Sequence, residues 1–493
     1  MHKLAAPSQP PQGEASSFSP KGKFEGGHDV LIIGSGLGGL ECGALLAQRG
    51  LRVLVLESSH QPGGCMQSFR RGGQHFDTGL HYVGGLAPGQ TMHKAFAQIG
   101  LLDLPWERMD EDFDHVIIEG RHFTFRQGYE AFAEGLAKDF PHQREALQSY
   151  VQRLQHITVA DMEVCAYDYL RQTFSDELLL NVVSAAAMKT ELRCESLPLF
   201  NFAHTCSSYI ESSWRLKGDG NLLVNKLISI ICEAGGEVRT NSKVTSLTEK
   251  EGRITNAICS DGQIYGADYF ISDIHPAVLC QLLEGCPTVR KAFRRRMSAA
   301  ENTCGMFTAQ LSIKPGALHY FAHNVFVYDK PNVWTMTEEN TPVKGVMISA
   351  RIPEDGSDVL RQIDLLTPMP WHECKVWSDT KVGHRGDDYK IFCKQKADQC
   401  IALAEQYIPG LRGMIEQCYT STPLTYRDYL GSPEGGAFGM RKDCRAPMLT
   451  FHSVSTPLPN LLLTGQSIIL PGIEGVTMTA LETCSKITQD NAR

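Results

Sequence analysis

A buried-strand pattern that runs into a glycine-rich turn and then a helix lies close to the start of the chain. Apolar residues fill the segment up to Ile33, and Gly34, Gly36 and Gly39 follow with the spacing GxGxxG. In such a turn the first glycine permits the tight bend, the second lets the backbone approach a pyrophosphate, and the third lets the helix pack against the strand. The helix, predicted over residues 41–49, would direct its N-terminal dipole at the phosphates. The pattern predicts a dinucleotide-binding α/β unit.

A second strand, predicted over residues 51–56, ends in Glu57, 21 residues beyond Gly36. An acid at this place can hold the ribose hydroxyls of a dinucleotide. Glu57 would also repel a 2′-phosphate, so this particular site is not expected to hold NADP.

Composition excludes several other classes. The chain of 493 residues has a formal charge of only −8, which gives no basic field for a nucleic-acid backbone. No apolar run reaches the ~18–20 residues that a membrane span needs. Residues 1–27, rich in Pro, Ser and Gly and without the apolar core of a signal peptide, are predicted to form a disordered tail.

The cysteines indicate reduced thiols in a cytoplasmic protein. The 16 cysteines are scattered from Cys42 to Cys484, and none forms a Cys-x-x-Cys pair. His319 and His323 lack a Glu or Cys companion at zinc-site spacing, so no metal site is predicted.

Four further blocks carry a family resemblance. They are Glu57 followed by Pro62-Gly63-Gly64-Cys65-Met66, then Phe76-Asp77-Thr78-Gly79-Leu80-His81-Tyr82-Val83-Gly84, then the stretch from Lys217 through Val244 to Asp273, and finally Asn460 to Gln466 with Gly472 to Val476. Together they resemble the flavin-dependent amine oxidase and phytoene desaturase superfamily. The second block is most similar to its retinol saturase and carotenoid isomerase branch, and Gly465 and Gln466 in the fourth block resemble the retinol saturase motif.

This resemblance implies an α/β fold: an FAD-binding Rossmann-like domain of the glutathione-reductase type with an interleaved α+β substrate domain. The FAD domain is expected from residues 28–100, 218–290 and 440–493, and the substrate domain from residues 101–217 and 291–439. Residues expected to bind FAD are Gly34, Ser35, Gly36, Leu37, Gly38, Gly39, Glu57, Ser58, Gly63, Gly64, Cys65, Met66, Val244, Gly465, Gln466, Gly475 and Val476. Many relatives carry Arg where this chain has Cys65, so the pyrophosphate loses a cation there.

The intervening stretches are predicted from hydrophobic spacing. Residues 101–217 are expected to be mostly helical, and the second stretch is expected to form sheet strands and one helix. A Pro- and Gly-rich link over residues 423–439 resembles a family segment that approaches the flavin. Its aromatic residues either line a substrate cavity or are merely packed. The predicted helices are residues 130–138, 144–159, 177–189 and 389–407, and the predicted strands are residues 306–313, 324–329, 346–351 and 360–368.

The resemblance implies reduction of one double bond in an apolar, retinoid- or carotenoid-like polyene. Desaturation, cis–trans isomerisation and oxidation of a charged amine remain alternatives, and a non-catalytic isoprenoid escort protein is the alternative of another class. Only one dinucleotide fingerprint is present, so NADH or NADPH would be a transient visitor, unless a reduced partner or the substrate itself supplies the electrons. His81 and Tyr82, placed near the flavin by the resemblance, are candidates for proton transfer.

One basic cluster stands out and is a candidate for peripheral contact with anionic lipid. It consists of Arg290, Lys291, Arg294, Arg295 and Arg296, interleaved with Phe293 and Met297. A solvated helix face is the alternative.

Overall fold

A computed structural model describes residues 27–337 and 341–490. The predicted tail lies outside the described residues apart from Gly27. The strands are β1 (His28–Ile33), β2 (Val53–Leu56), β3 (Ser68–Arg71), β4 (Gln74–Asp77), β5 (Val83–Gly84), β6 (Trp106–Arg108), β7 (Asp112–Ile118), β8 (Arg121–Arg126), β9 (Ser213–Leu216), β10 (Glu237–Arg239), β11 (Val244–Lys250), β12 (Arg253–Cys259), β13 (Ile264–Ser272), β14 (Gly305–Ile313), β15 (Asn324–Tyr328), β16 (Gly345–Ala350), β17 (Gln362–Met369), β18 (Ile415–Ser421) and β19 (Leu461–Leu463).

The α-helices lie between groups of these strands along the chain. They are α1 (Leu37–Ala47), α2 (Thr91–Ile99), α3 (Tyr129–Asp139), α4 (Arg144–Gln155), α5 (Ala166–Thr173), α6 (Glu177–Ala185), α7 (Leu199–Glu211), α8 (Gly220–Glu233), α9 (Pro276–Leu282), α10 (Lys291–Ala299), α11 (Asp387–Ala404), α12 (Leu411–Met414), α13 (Pro423–Leu430), α14 (Pro447–Thr450) and α15 (Gly472–Asp490).

The first sheet is assembled from widely separated segments. Its order is β10-β2-β1-β13-β12-β11, with β19 also paired to β13. The five strands β10, β2, β1, β13 and β19 run parallel. Because side chains alternate along a strand, Val30 and Ile32 pack in the core with α1, α8 and α15, while Leu31 and Ile33 pack in the core with α9. A parallel sheet covered on both faces matches the predicted α/β dinucleotide-binding fold.

The second sheet has the order β18-β14-β17-β16-β15-β7-β8 and is antiparallel except for the pair β15 and β7. Every residue of β14 is buried, because helices cover both faces of the sheet. Helices α3 to α7 pack on one face, and α11 packs on the other. This is the predicted α+β layer, and the predicted fold class is confirmed. The domain boundaries remain a prediction.

Residues 101–217 contain the helices α3 to α7, and they also contain four strands, β6 to β9, that the prediction of a mostly helical stretch did not include. A hairpin of β7 and β8 lies inside this stretch and forms the edge of the second sheet. Its two-residue loop, Glu119-Gly120, has positive φ at both positions, as the favoured hairpin turn requires. Part of the predicted 423–439 link is also helical, since the Thr422 capping box starts α13.

Element boundaries also shift. Helix α1 begins at Leu37 rather than at residue 41 because Gly36 is already its N-cap. The predicted helix over residues 144–159 ends at Gln155, and a capping box at Thr158 starts a separate short helix, Val159–Glu163. Of the helices within the described residues, none is long and apolar enough to cross a bilayer.

Candidate flavin site and its neighbouring polar cluster

The glycine turn between β1 and α1 is built so that side chains are excluded from it. Gly34 has φ +97°, a left-handed conformation that favours glycine, and a Cβ on Gly36 would lie 2.5 Å from a carboxyl oxygen of Asp273. Gly36 caps α1 without a side-chain hydrogen bond, and its amide and that of Gly39 lie close to the Asp273 carboxyl group at the positive end of the helix.

A second glycine turn lies directly on the first. Gly63 and Gly64 have φ +115° and +54°, and a Cβ on Gly64 would lie 3.1 Å from Gly36 Cα. The amide of Gly63 donates to Ser35 O at 3.0 Å and fixes the two turns against each other. We call residues 34–39, Gly63, Gly64 and Gly465 the cradle.

The C-terminal motif completes the cradle from the opposite end of the chain. Strand β19 pairs with β13, and the amide of Thr464 donates to Ser272 O at 2.9 Å. As a result, Gly465 reaches Gly38, whose Cβ would lie 3.0 Å from Gly465 N. Gln466 follows, half-buried.

Glu57 is held at the end of β2 by directed hydrogen bonds. Its Oε2 accepts from the amide and hydroxyl of Ser35 at 3.0 and 2.6 Å, and its Oε1 accepts from the amide of Ser59 at 2.7 Å and the hydroxyl of Ser58 at 3.2 Å. The amide of Ser242 donates to Glu57 O, which brings the start of β11, at Val244, to the same edge of the sheet. The carboxylate is therefore oriented beside the cradle.

The remaining predicted cofactor residues lie around these turns. Leu37 opens α1, Met66 is buried, and Cys65 packs against the backbone turn at Gly79. Burial raises the pKa of Cys65 to about 12, so its thiol is neutral near pH 7. Gly475 and Val476 begin α15; Gly475 packs on Leu470, and Val476 is buried in the core cluster that contains Leu37.

The charges around the cradle are mainly acidic. Burial raises the pKa of Asp273 to about 7 and that of Glu41, in α1, to about 8. Glu41 accepts a hydrogen bond from the Thr477 hydroxyl at 2.8 Å, but its second oxygen has no hydrogen-bond partner.

The predicted proton-transfer residues, His81 and Tyr82, lie at the end of the segment 79–82. This segment begins at Gly79, which packs against Cys65. The Tyr82 hydroxyl donates to Asp114 Oδ2 at 3.1 Å, and Lys189 Nζ donates to the Tyr82 hydroxyl. Asn324 Nδ2 donates to Asp114 Oδ1, and Arg215 donates to Asn324 Oδ1, both at 2.8 Å. These five side chains form the Tyr82 cluster.

Burial alters the protonation of the Tyr82 cluster. It lowers the pKa of Lys189 to about 8 and raises that of Asp114 to about 6, while the pKa of Tyr82 lies well above its ordinary value. Lys189 Nζ also lies 4.1 Å and 3.7 Å from the ring centroids of Tyr82 and Tyr209. A cation, a phenol and a carboxylate are thus held in one hydrogen-bonded chain.

His81 faces a different acid from Tyr82, while Arg215 is common to the surroundings of both residues. Its Nδ1 lies 3.7 Å from Asp364 Oδ2, and Asp77, Arg215 and Arg351 line the same small internal cavity. Burial lowers the pKa of His81 to about 4 and raises that of Asp364 to about 8. At neutral pH the imidazole is therefore neutral and Asp364 is mostly a neutral acid.

A cavity of about 870 Å³ lies between the β3–β4 hairpin and the elements β18, α11 and α13. Its wall is predominantly apolar, and Thr78 connects it to the segment that carries His81 and Tyr82. Tyr426 is close enough to Cys65 for that thiol to raise its pKa, in addition to the larger effect of burial. The aromatic side chains that line the cavity are Phe69, Tyr389, Tyr419, Tyr426 and Tyr429.

Comparison with known proteins identifies the family. Residues 37–306, more than half of the chain, match the model of the "Flavin containing amine oxidoreductase" family. The chain belongs to this family and is an FAD-dependent oxidoreductase. The helix N-terminus, the glycine turns and the oriented Glu57 fit the diphosphate and ribose of FAD, although this assignment of individual residues remains a prediction.

The relatives narrow the branch. The chain is 24% identical to human "All-trans-retinol 13,14-reductase", over 94% of this chain and 86% of that protein. It is 22% identical to the neurosporene-forming phytoene desaturase of Cereibacter sphaeroides (94% and 95% covered) and to a prolycopene isomerase of an Oncidium hybrid (92% and 82%). The predicted superfamily branch is confirmed.

A solved oxidoreductase structure from Methanosarcina mazei has the same fold. It superimposes with a TM-score of 0.65 at 14% identity, covering 93% of this chain and all of that chain.

Sequence reasoning missed the partners of the predicted proton-transfer residues. Lys189 lies 107 positions from Tyr82, and Asp114 and Asp364 belong to strands of the second sheet. No short motif links them, because the pairing of distant strands and helices brings them together.

The residues of the basic cluster differ in their contacts and in their exposure to solvent. Arg294 donates to Leu283 O and Cys286 O, both at 2.7 Å, and so binds the end of α9. Arg290, Lys291, Arg295 and Arg296 are exposed.

Proposed function

We propose that this protein saturates one carbon–carbon double bond of an apolar conjugated polyene of the retinoid or carotenoid kind. The observation that carries the proposal is the near full-length similarity to retinol 13,14-reductases. Those relatives reach 24–26% identity, against 22% for the desaturase and the isomerases.

The 870 Å³ cavity supports an elongated apolar substrate. Its volume lies in the upper part of the ~300–1,000 Å³ range of ligand pockets. Aromatic walls suit a conjugated chain, since ring faces pack against flat π-systems. Tyr426, in the wall of the cavity, is close enough to Cys65 for that thiol to affect its pKa, which supports a cavity that extends toward the predicted flavin.

Saturation of a double bond adds a hydride to one carbon and a proton to its neighbour. Bound reduced flavin supplies the hydride. The protein must supply the proton from a group that holds one at neutral pH and exclude water from the site. Tyr82 meets this condition, because burial favours its neutral phenol, and Lys189 can return a proton to it.

His81 is less suited to donate a proton. With its pKa near 4, the ring is already neutral at physiological pH. We propose that His81 instead holds the segment between the cradle and the Tyr82 cluster, facing the neutral acid Asp364.

NADH or NADPH is proposed as the transient electron donor. The sequence has one dinucleotide fingerprint and FAD is expected to fill it, so either nicotinamide nucleotide would have to enter through the substrate cavity. Desaturation remains the second candidate because a phytoene desaturase is among the relatives, and it would run the hydride transfer in reverse. Isomerisation, as the name of the Oncidium relative indicates, would use the same site without net electron transfer.

The decisive experiment is an anaerobic absorbance spectrum of the purified holoprotein. Bleaching of the flavin band by NADH or NADPH, followed by recovery on addition of all-trans-retinol or a carotene, is the expected result. Bleaching by the polyene alone would show that the polyene donates the electrons, and the reaction would then be desaturation rather than reduction. Complete absence of flavin after reconstitution would favour the isoprenoid-escort alternative.

We also propose that the exposed part of the basic cluster contacts anionic lipid. Each Lys or Arg near an anionic surface contributes roughly 1 kcal/mol of attraction. Reversing Arg295 and Arg296 to Glu should lower co-sedimentation with phosphatidylserine vesicles, and unchanged sedimentation would leave α10 as an ordinary solvated helix. Arg294→Glu is unsuitable for this test because Arg294 binds the end of α9.

A further inference from the structure

We propose that Asp273 belongs to the dinucleotide site and meets the FAD diphosphate as a neutral acid, so that FAD binding takes up a proton. The inference depends on flavin binding and is independent of the polyene substrate.

The position of the Asp273 carboxyl group is the first support. Asp273 follows β13 directly, where the amide of Asp273 donates to Ile33 O at 2.9 Å. A Cβ on Gly36 would lie 2.5 Å from its Oδ2, and Cβ atoms on Gly465 and Gly38 would lie 2.6 and 2.9 Å from its Oδ1. The carboxyl group therefore occupies the space that three cradle glycines leave open.

The N-terminus of α1 attracts whatever anion occupies this space. The amides of Gly36 and Gly39 lie close enough to Asp273 to lower its pKa, which opposes the larger effect of burial. Yet Oδ2 makes no hydrogen bond of normal geometry, so these amides are not saturated by the side chain. A diphosphate that approaches the same amides must come beside the carboxyl group.

The charges near Asp273 offer no compensation for a diphosphate. The titratable groups that interact with Asp273 include the carboxyl groups of Glu57 and Glu41 and the thiols of Cys42 and Cys65, and none of these four is a cation. Cys65 stands where many relatives carry Arg. Two phosphate charges beside a carboxylate would repel it, whereas a protonated carboxyl group can donate a hydrogen bond to a phosphate oxygen.

The sign of the pH dependence follows from this arrangement. Burial already raises the pKa of Asp273 to about 7 in the unliganded protein, and a neighbouring diphosphate would raise it further. The complex then binds more protons than the apoprotein, so FAD affinity falls as pH rises above about 7, by up to ~tenfold per pH unit. Free FAD has no group that titrates near neutral pH.

The test is a fluorescence titration of apoprotein with FAD between pH 6 and pH 9 at constant ionic strength. We expect the wild-type dissociation constant to rise across this range and the isosteric Asp273→Asn variant to bind with little pH dependence. Asp268→Asn, in the middle of strand β13, is the matched control and should keep the wild-type profile. Glu41→Gln should still bind FAD with a pH-dependent affinity, which separates Asp273 from the other buried carboxyl group.

Several results would overturn the proposal. These are a pH-independent wild-type affinity, a pH dependence that survives in Asp273→Asn, a dependence that disappears in Glu41→Gln, or no FAD binding at any pH. If Asp273→Asn does not fold, calorimetric titration of the wild type with FAD in buffers of different ionisation enthalpy replaces it. Net proton uptake near pH 7.5 is expected, and none would refute the proposal. Neither experiment uses a polyene or a nicotinamide nucleotide. The proposal on Asp273 and the proposed reduction of a polyene can therefore be refuted separately.

Discussion

The cradle and the Tyr82 cluster are neighbours joined by residues 79–82, yet they are built in opposite ways. The cradle is made of backbone, and its glycines are needed because a side chain would not fit there. The Tyr82 cluster is made of side chains, in which the charge of Lys189 must compensate that of Asp114. Acids surround the cradle, while Lys189 and Arg215 supply cations to the cluster. The cradle should therefore be sensitive to added volume, and the cluster to lost charge.

The largest expected effect comes from adding volume to the cradle. Gly36→Val places a branched side chain against Asp273 and blocks the approach of the diphosphate, so flavin content should fall to roughly a tenth of wild type or less. The ratio of flavin to protein absorbance measures it. Gly285→Val is the control, because no atom lies within 4 Å of a Cβ there, and equal flavin loss in both variants would contradict the assigned turn.

Removing a charge from the Tyr82 cluster should cost stability rather than flavin. Lys189→Met leaves Asp114 buried beside the Tyr82 hydroxyl without its cation, and we expect a loss of about 3–5 kcal/mol in the free energy of unfolding. Urea denaturation measures it, with Lys189→Arg as the charge-preserving control. Full stability of the Met variant would show that Lys189 does not compensate Asp114.

The acid beside His81 predicts a pH-dependent stability. Burial raises the pKa of Asp364 to about 8. Protonated Asp364 therefore contributes to the free energy of unfolding in full below the ordinary pKa of ~3.9, and this contribution is lost as pH rises through 8. The free energy of unfolding of the wild type should thus fall by at least about 1 kcal/mol more than that of Asp364→Asn between pH 6 and pH 9.

Thermal unfolding at the two pH values tests this prediction. Asp358→Asn, at a side chain that is 78% exposed, serves as the control. A wild type and Asp364→Asn variant with parallel pH profiles would show that Asp364 is ionised in the folded protein.

The smallest effect is expected from the loss of Glu57, whose carboxylate is oriented beside the cradle. Glu57→Ala removes the acceptor proposed for the ribose and also leaves Ser35 without its partner, which should weaken FAD binding by ~1 kcal/mol or more. Equilibrium titration of the apoprotein measures it. Glu237→Ala, an exposed acid on the adjacent strand β10, should bind FAD as the wild type does. Equal affinities of all three proteins would remove Glu57 from the site.

The two regions also differ in how far the sequence predicts them. The cradle follows from short motifs, since Gly34, Gly36 and Gly39 act through local backbone geometry that a linear pattern records. Tyr82 was also singled out, but Lys189 and Asp114 were not, because only tertiary packing brings them to its hydroxyl. The role of Arg294 was likewise hidden in a run of like charges. By contrast, the β7–β8 hairpin had a local signal, Glu119-Gly120 between strand-like runs.

The pairing of β19 with β13, and of α15 with α1, has a consequence for the making of the protein. The Cys42 thiol of α1 contacts Ala480 O, 438 positions further along the chain. A ribosome therefore releases the first glycine turn long before it makes the segment that completes the cradle. Since contacts at such long sequence separation form slowly, the nascent chain must stay soluble with an open sheet edge at β13. Premature termination before β19 would leave a polypeptide with every N-terminal nucleotide motif but no completed cofactor site.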